Sequence, residues 1–183
     1  MVLWDTTLKG MDTDEILFVT AHELGHYRLN HVWEGIVFAC LLAFVAFFVA
    51  SLVVRWAIRR FGEGWDIAEL HDVATMPLFG IVFVLLMVLV QPATMAFSRA
   101  VEHEADGFAL EMTHANDAGA RAFLKLGSQN RSNPEPSPFV RAMLYDHPPL
   151  AERIRFALDY RPWEARRPNR WYHGTQSSGS GAP

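Results

Sequence analysis

His22-Glu23-Leu24-Gly25-His26 has the H-E-x-x-H spacing of a helical metal grip. Positions four apart on a helix lie one above the other, so the two imidazoles can hold one ion. Glu23 projects beside them and can take a proton from water on that ion. Zinc suits this arrangement because a catalytic site keeps three protein donors and one open position, and it brings the pKa of its water toward about 7. The third donor has to come from elsewhere in the chain. His31 follows His26 by five positions with no glycine between, which departs from H-E-x-x-H-x-x-G-x-x-H, and it is read as an interfacial residue at the mouth of the next apolar run. Glu102-His103-Glu104-Ala105-Asp106 is the better source. Glu102 and Asp106 share a helix face, and the pair offers one carboxylate to the metal and another to a ligand histidine's free ring N–H. In Asp146-His147-Pro148-Pro149-Leu150-Ala151-Glu152-Arg153, two prolines restrict the backbone after His147. A histidine held so could donate to the oxyanion formed when water attacks a peptide carbonyl. Arg153 could brace an acidic site residue or a substrate carbonyl.

The elements that must position these groups include two uncharged apolar runs, Ile36 to Val54 and Met76 to Phe97. A bilayer core needs about 20 apolar residues in a helix, so both predict membrane spans, over about 36–56 and 76–97. Pro92 lies near the end of the second and is tolerated where neighbours satisfy the freed carbonyl. With two spans, the flanks that carry the two halves of the site emerge on one side of the membrane. The charges between the spans are mixed and assign no orientation. Asp12-Thr13-Asp14-Glu15 predicts a capped helix from Thr13 to about Glu34. Val2 to Leu8 is a candidate short strand, Arg99 to Met112 continues the second span, and Asn116 to Leu126 is a short helix. Gly127 to Pro138 reads as a loop, and Pro149 opens a helix to about Tyr160. The expected organisation is a first half of the core over 1–35, a transmembrane hairpin over 36–97, a second half over 98–160, and a flexible tail over 161–183. Trp163 and Trp171 in that tail, with nearby arginines, suit either a lipid interface or disorder.

Composition sets the outer limits. The chain has 183 residues, 51% hydrophobic and 20% charged, which excludes a disordered or low-complexity protein. One cysteine, Cys40, excludes an internal disulfide framework and a multi-cysteine zinc site. A formal charge of -4 from 16 basic and 20 acidic residues carries no polyanion signature, so no nucleic-acid partner is expected.

The three motifs in this order resemble the integral-membrane zinc CAAX prenyl proteases, gluzincin metallopeptidases with the HtpX-type membrane proteases as relatives. Val2-Leu3-Trp4-Asp5-Thr6, Leu29-Asn30-His31 and His147-Pro148-Pro149-Leu150 with Glu152-Arg153 carry the likeness beside H-E-x-x-H and Glu102-x-x-x-Asp106. The resemblance covers about residues 2 to 158. It implies a mainly α fold, a gluzincin-like zinc metalloprotease core interrupted by a two-helix transmembrane hairpin. It implies that His22, His26 and Glu102 bind one Zn2+ per chain, and that Glu23 is the general base and then the proton donor to the leaving amine. Asp106 would orient a ligand histidine, and His147 with Arg153 would hold substrate and stabilise the tetrahedral intermediate. The expected partners are a lipid bilayer and a peptide or protein substrate, prenylated substrates included. Family members carry further membrane helices ahead of Val2-Leu3-Trp4-Asp5-Thr6, so the chain is expected to be an N-terminally truncated, multi-pass member. Two other functions fit the same residues: a non-catalytic membrane fragment or subunit, and a protease for membrane-protein quality control.

Overall fold

A computed structural model describes residues 10–67, 69–130 and 133–174, and every regular element among them is helical. The elements are α1 (Thr13–Arg28), α2 (His31–Trp65), a 3-10 turn (Val73–Thr75), α3 (Met76–Thr113), α4 (Asn116–Asn130), α5 (Pro138–Leu144) and α6 (Leu150–Asp159). The mainly α expectation is met. The candidate strand at Val2–Leu8 lies outside the described residues. The chain divides into two compact units, Met1–His31 with Met95–Pro183, and Val32–Thr94.

In the second unit, α2 and α3 supply the two helices long and apolar enough to cross a membrane. Only 11% and 6% of their most apolar windows are buried within this chain, unlike the mostly buried core helices of a water-soluble domain. Phe44, Phe48, Leu85 and Leu89 turn outward. Phe47 stacks on Phe79 and Phe83 with centroids 6.1 and 5.0 Å apart, so the two helices pack through aromatic rings. Between them, Thr75 Oγ1 donates to the carbonyls of Leu70 and Asp72 and closes the turn.

The first unit is built on a small core of Phe18, Ala21, Leu110, Ala122, Phe123 and Ala157, with Phe18 edge-on to Phe123. Alanines dominate because helices that approach closely leave no room for larger side chains. α1 begins as the sequence predicts: Glu15 Oε2 accepts from the Asp12 N–H at 2.8 Å, closing a capping box. It does not run on to Glu34. Leu29 N–H returns to the Gly25 carbonyl and Asn30 takes φ 61°, a left-handed conformation that asparagine tolerates, so the chain breaks and restarts at His31. α4 extends to Asn130, four residues into the expected loop, and α5 begins at that loop's last residue, Pro138, in a stretch to which the sequence assigns no element.

The expected flexible tail is corrected over residues 161–174. Trp171 is buried, and the Arg170, Trp171 and Tyr172 N–H groups all donate to Glu111 on α3. The Trp171 ring covers Gly107, where a Cβ would collide with it. Trp163 stacks on His114, with centroids 4.1 Å apart. A segment with this many aromatics can bury enough apolar surface to order itself, so neither lipid contact nor disorder is needed to account for them.

Candidate metal centre

α1 and α3 of the first unit meet at Gly25. A Cβ there would stand 3.2 Å from Phe108 Cβ and 3.3 Å from Ala105 Cα, so the missing side chain is what lets the two helices close. That approach brings the early histidines to the later carboxylate. His22 Nε2 and His26 Nε2 are 3.2 Å apart. Glu102 Oε2 is 3.5 Å from the first, and Glu102 Oε1 is 3.5 Å from the second.

These separations fit zinc. Tetrahedral bonds of about 2.0–2.1 Å hold neighbouring donors about 3.3–3.4 Å apart. The donor set is two imidazoles and one carboxylate, and no other group of three His, Cys, Asp or Glu side chains among the described residues could hold an ion. Glu102 Oε2 is buried and accepts no hydrogen bond among the described residues. A buried carboxylate oxygen without a donor is costly, and a cation is the group that would satisfy it.

Asp106 lies one turn further along α3, fully buried, with Oδ1 2.9 Å from His22 Nδ1, although off the ring N–H axis. Arg153 holds it from behind: Nε donates to Asp106 Oδ2 at 2.8 Å and Nη2 to Oδ1 at 2.6 Å. The guanidinium also lies 4.2 Å from the Phe123 ring centre. Of the two uses that the sequence leaves open for Arg153, bracing an acidic site residue is the one these contacts make; Nη2 is 3.7 Å from Glu102 Oε2.

The site's own charges set its protonation. Burial alone would lower the His22 pKa, but Asp106 and Glu102 outweigh it and push it up to about 9. Burial would raise Asp106, yet the Arg153 charge and the adjacent His22 ring hold it below the ordinary range. Glu102 is likewise held down against burial, by His22, His147 and Arg153. His26 is lowered by burial and by the His22 charge, which favours the neutral ring that binds metal. Glu23 is exposed on α1, and its charge acts on His26.

His147 Nε2 is 3.3 Å from Glu102 Oε2, and Nδ1 is 2.9 Å from Asp146 Oδ1. The structure thus brings His147 to the acidic side of the centre, half-exposed. Three contributors are not assigned to the site by the sequence. Asp146 orients His147, and that hydrogen bond holds its own carboxyl below the usual range. Arg99, one turn before Glu102, donates through Nη1 to the carbonyls of Arg141 and Tyr145 at 2.8 and 2.7 Å, tying the segment that leads to His147 onto α3. His31 is buried, not interfacial, with Nδ1 3.1 Å from His26 Nδ1. Adjacency signals Asp146, whereas Arg99 and His31 depend on where the chain turns. A cavity of about 520 Å³ opens beside His147 and Arg153, walled by Phe123, Leu126, Leu144 and Leu150.

The description of peptidase family M48 matches residues 1–161. The chain is 34% identical over 157 residues to the uncharacterized metalloprotease YhfN of Bacillus subtilis (strain 168), covering 86% of this chain and 37% of that protein. It is 35% identical over 160 residues to the CAAX prenyl protease 1 homolog of Arabidopsis thaliana, covering 87% and 37%. Among solved structures it is similar to S. mikatae Ste24p, with a TM-score of 0.65 and 26% identity over 86% of this chain and 38% of that one. The chain therefore spans less than two-fifths of the length of these relatives.

Proposed function

The chain belongs to peptidase family M48, and from that premise we propose that it is a zinc-dependent endopeptidase of the membrane. The observation that carries this is the convergence of His22 Nε2, His26 Nε2 and Glu102 at 3.2 to 3.5 Å. Zinc held by these donors would supply the Lewis acidity that makes water a nucleophile near neutral pH. The remaining work falls to the side chains. A Glu23 carboxylate oxygen takes the proton from the attacking water and returns it to the leaving amine. His147, as an imidazolium with its Nδ1–H held by Asp146, donates its Nε2–H to the carbonyl oxygen as negative charge develops there. Asp106 fixes the His22 tautomer through Nδ1, and Arg153 keeps Asp106 ionised and in place. Arg153 is accordingly a positioning residue. The apolar wall beside His147 would seat an apolar substrate side chain.

Substrates are peptides or proteins presented at the bilayer, with prenylated chains proposed from the names of the matched relatives. The two apolar helices support a multi-pass arrangement in the membrane, with both halves of the site on one side. The test is metal analysis of the purified chain with a paired cleavage assay on prenylated and unprenylated peptides. One zinc per chain is expected, retained by Glu23→Gln, with cleavage lost in that variant. Cleavage that survives Glu23→Gln rejects the mechanism.

A further inference from the structure

We infer that His31 is a positioning residue for the metal centre: its Nδ1 accepts a hydrogen bond from His26 Nδ1 and so holds that ring with Nε2 aimed at the cation. The inference rests on the metal-centre reading proposed above. An imidazole that binds metal through Nε2 while neutral carries its one proton on Nδ1, and that N–H needs an acceptor. His22 has Asp106 in that place, 2.9 Å away. For His26 the group within reach is His31 Nδ1 at 3.1 Å. The His31 side chain is 2% exposed, so water competes poorly for the bond.

Proton counting fixes the rest. If His31 accepts at Nδ1, its own proton sits on Nε2. That atom is buried, makes no hydrogen bond among the described residues, and faces Glu104 Oε2 at 3.5 Å. A Glu104 carboxylate there favours a proton on Nε2 and so keeps Nδ1 free to accept. Backbone geometry makes the pair possible. On one continuous helix, residues five apart lie about 140° apart around the axis and cannot face each other. The left-handed turn at Asn30, φ 61°, ends α1 and returns His31 to the His26 side. The two ring centres are 5.1 Å apart and nearly perpendicular, an in-plane nitrogen-to-nitrogen approach rather than a stack.

The experiment measures zinc affinity by chelator competition in the purified full chain, together with the visible spectrum of its cobalt-substituted form. His31→Leu removes the acceptor and should weaken zinc binding about 10- to 100-fold and alter the cobalt spectrum. His31→Gln, whose amide oxygen can accept, should recover most of both. Glu104→Ala should weaken binding by a smaller factor, with no added effect in the His31→Leu background. A His31→Leu protein with parental affinity and spectrum overturns the inference and leaves the metal centre standing. A parent that holds no zinc overturns the metal centre itself. If the leucine variant does not fold, nitrogen-15 histidine NMR of the zinc-loaded parent decides. A protected proton on His26 Nδ1 with none on His31 Nδ1 supports the inference, and the opposite placement overturns it.

Discussion

Glu102 and Glu111 are both acids on α3 turned toward the interior of one unit, and they are treated in opposite ways. Nine residues separate them, which puts them on opposite sides of the helix. Glu111 accepts from the Tyr160 hydroxyl and from three backbone N–H groups at 2.6 to 2.8 Å, and is 1% exposed. A carboxylate has about four lone-pair sites, and here each is used. Glu102 has a buried oxygen with no donor. A fold sustains the first arrangement by itself, because the hydrogen bonds offset desolvation; the second leaves an oxygen faced by His22, His147 and Arg153 at 3.3 to 3.7 Å with no hydrogen bond, a need that a metal ion would meet. Burial alone therefore does not distinguish a structural acid from a metal ligand. The donor count does.

Three substitutions would break or sharpen this contrast. Glu102→Gln should cost the most: zinc affinity falls more than about 100-fold, because a three-donor site loses its charged donor. Melting in excess chelator should change little. A variant that still binds zinc tightly would put Glu102 on the structural side of the comparison. Glu111→Gln should do the reverse. It turns an amide toward N–H donors and strands them, destabilising the fold by about 3 kcal/mol while zinc stoichiometry holds. Thermal unfolding in detergent, read beside metal content, separates the two outcomes. Asp106→Asn should fall between them, weakening zinc about 10- to 100-fold by releasing His22 and leaving Arg153 without its charged partner. A loss of stability with unchanged zinc affinity would make Asp106 a second Glu111.

What could be read from sequence divides along the same line. The His22/His26 pair, the Glu102/Asp106 pair and the apolar runs are periodic signals within one helix, and each is where the pattern puts it. The start of α1 was legible because a capping box is also local. Contacts that need the chain to return are not. The N–H donors to Glu111 come from some 60 residues away, and no spacing rule links Arg170, Trp171 and Tyr172 to it. The Arg99 clamp spans 42 and 46 residues. His31 is misread for a subtler reason: one residue, Asn30, leaves the helical region, and every later position then changes face. Trp171 and Tyr172 were a usable clue, since a solvated tail has little use for clustered aromatics.

Glu15 on α1 gives the smallest expected effect, and it tests whether the contrast extends to acids offset by side-chain cations. It is fully buried, and it accepts from Lys125 Nζ at 2.6 Å, Arg121 Nε at 3.2 Å and the Asp12 N–H at 2.8 Å. Burial would raise its pKa, but Lys125, Asp12 and Arg121 together hold it below the ordinary value. The direction fixes the sign. A carboxyl depressed in the fold contributes stability that is present above its unfolded pKa of about 4.3 and is lost as pH falls through the folded value. The melting difference between the parent and Glu15→Gln should therefore be largest near neutrality and shrink below about pH 4. Because Lys125 and Arg121 are partly exposed, salt should shrink it too. Zinc affinity near neutral pH should be the same in both proteins. A Glu15→Gln variant that loses zinc would tie the α1 cap to the metal centre and erase the distinction between a satisfied acid and a waiting one.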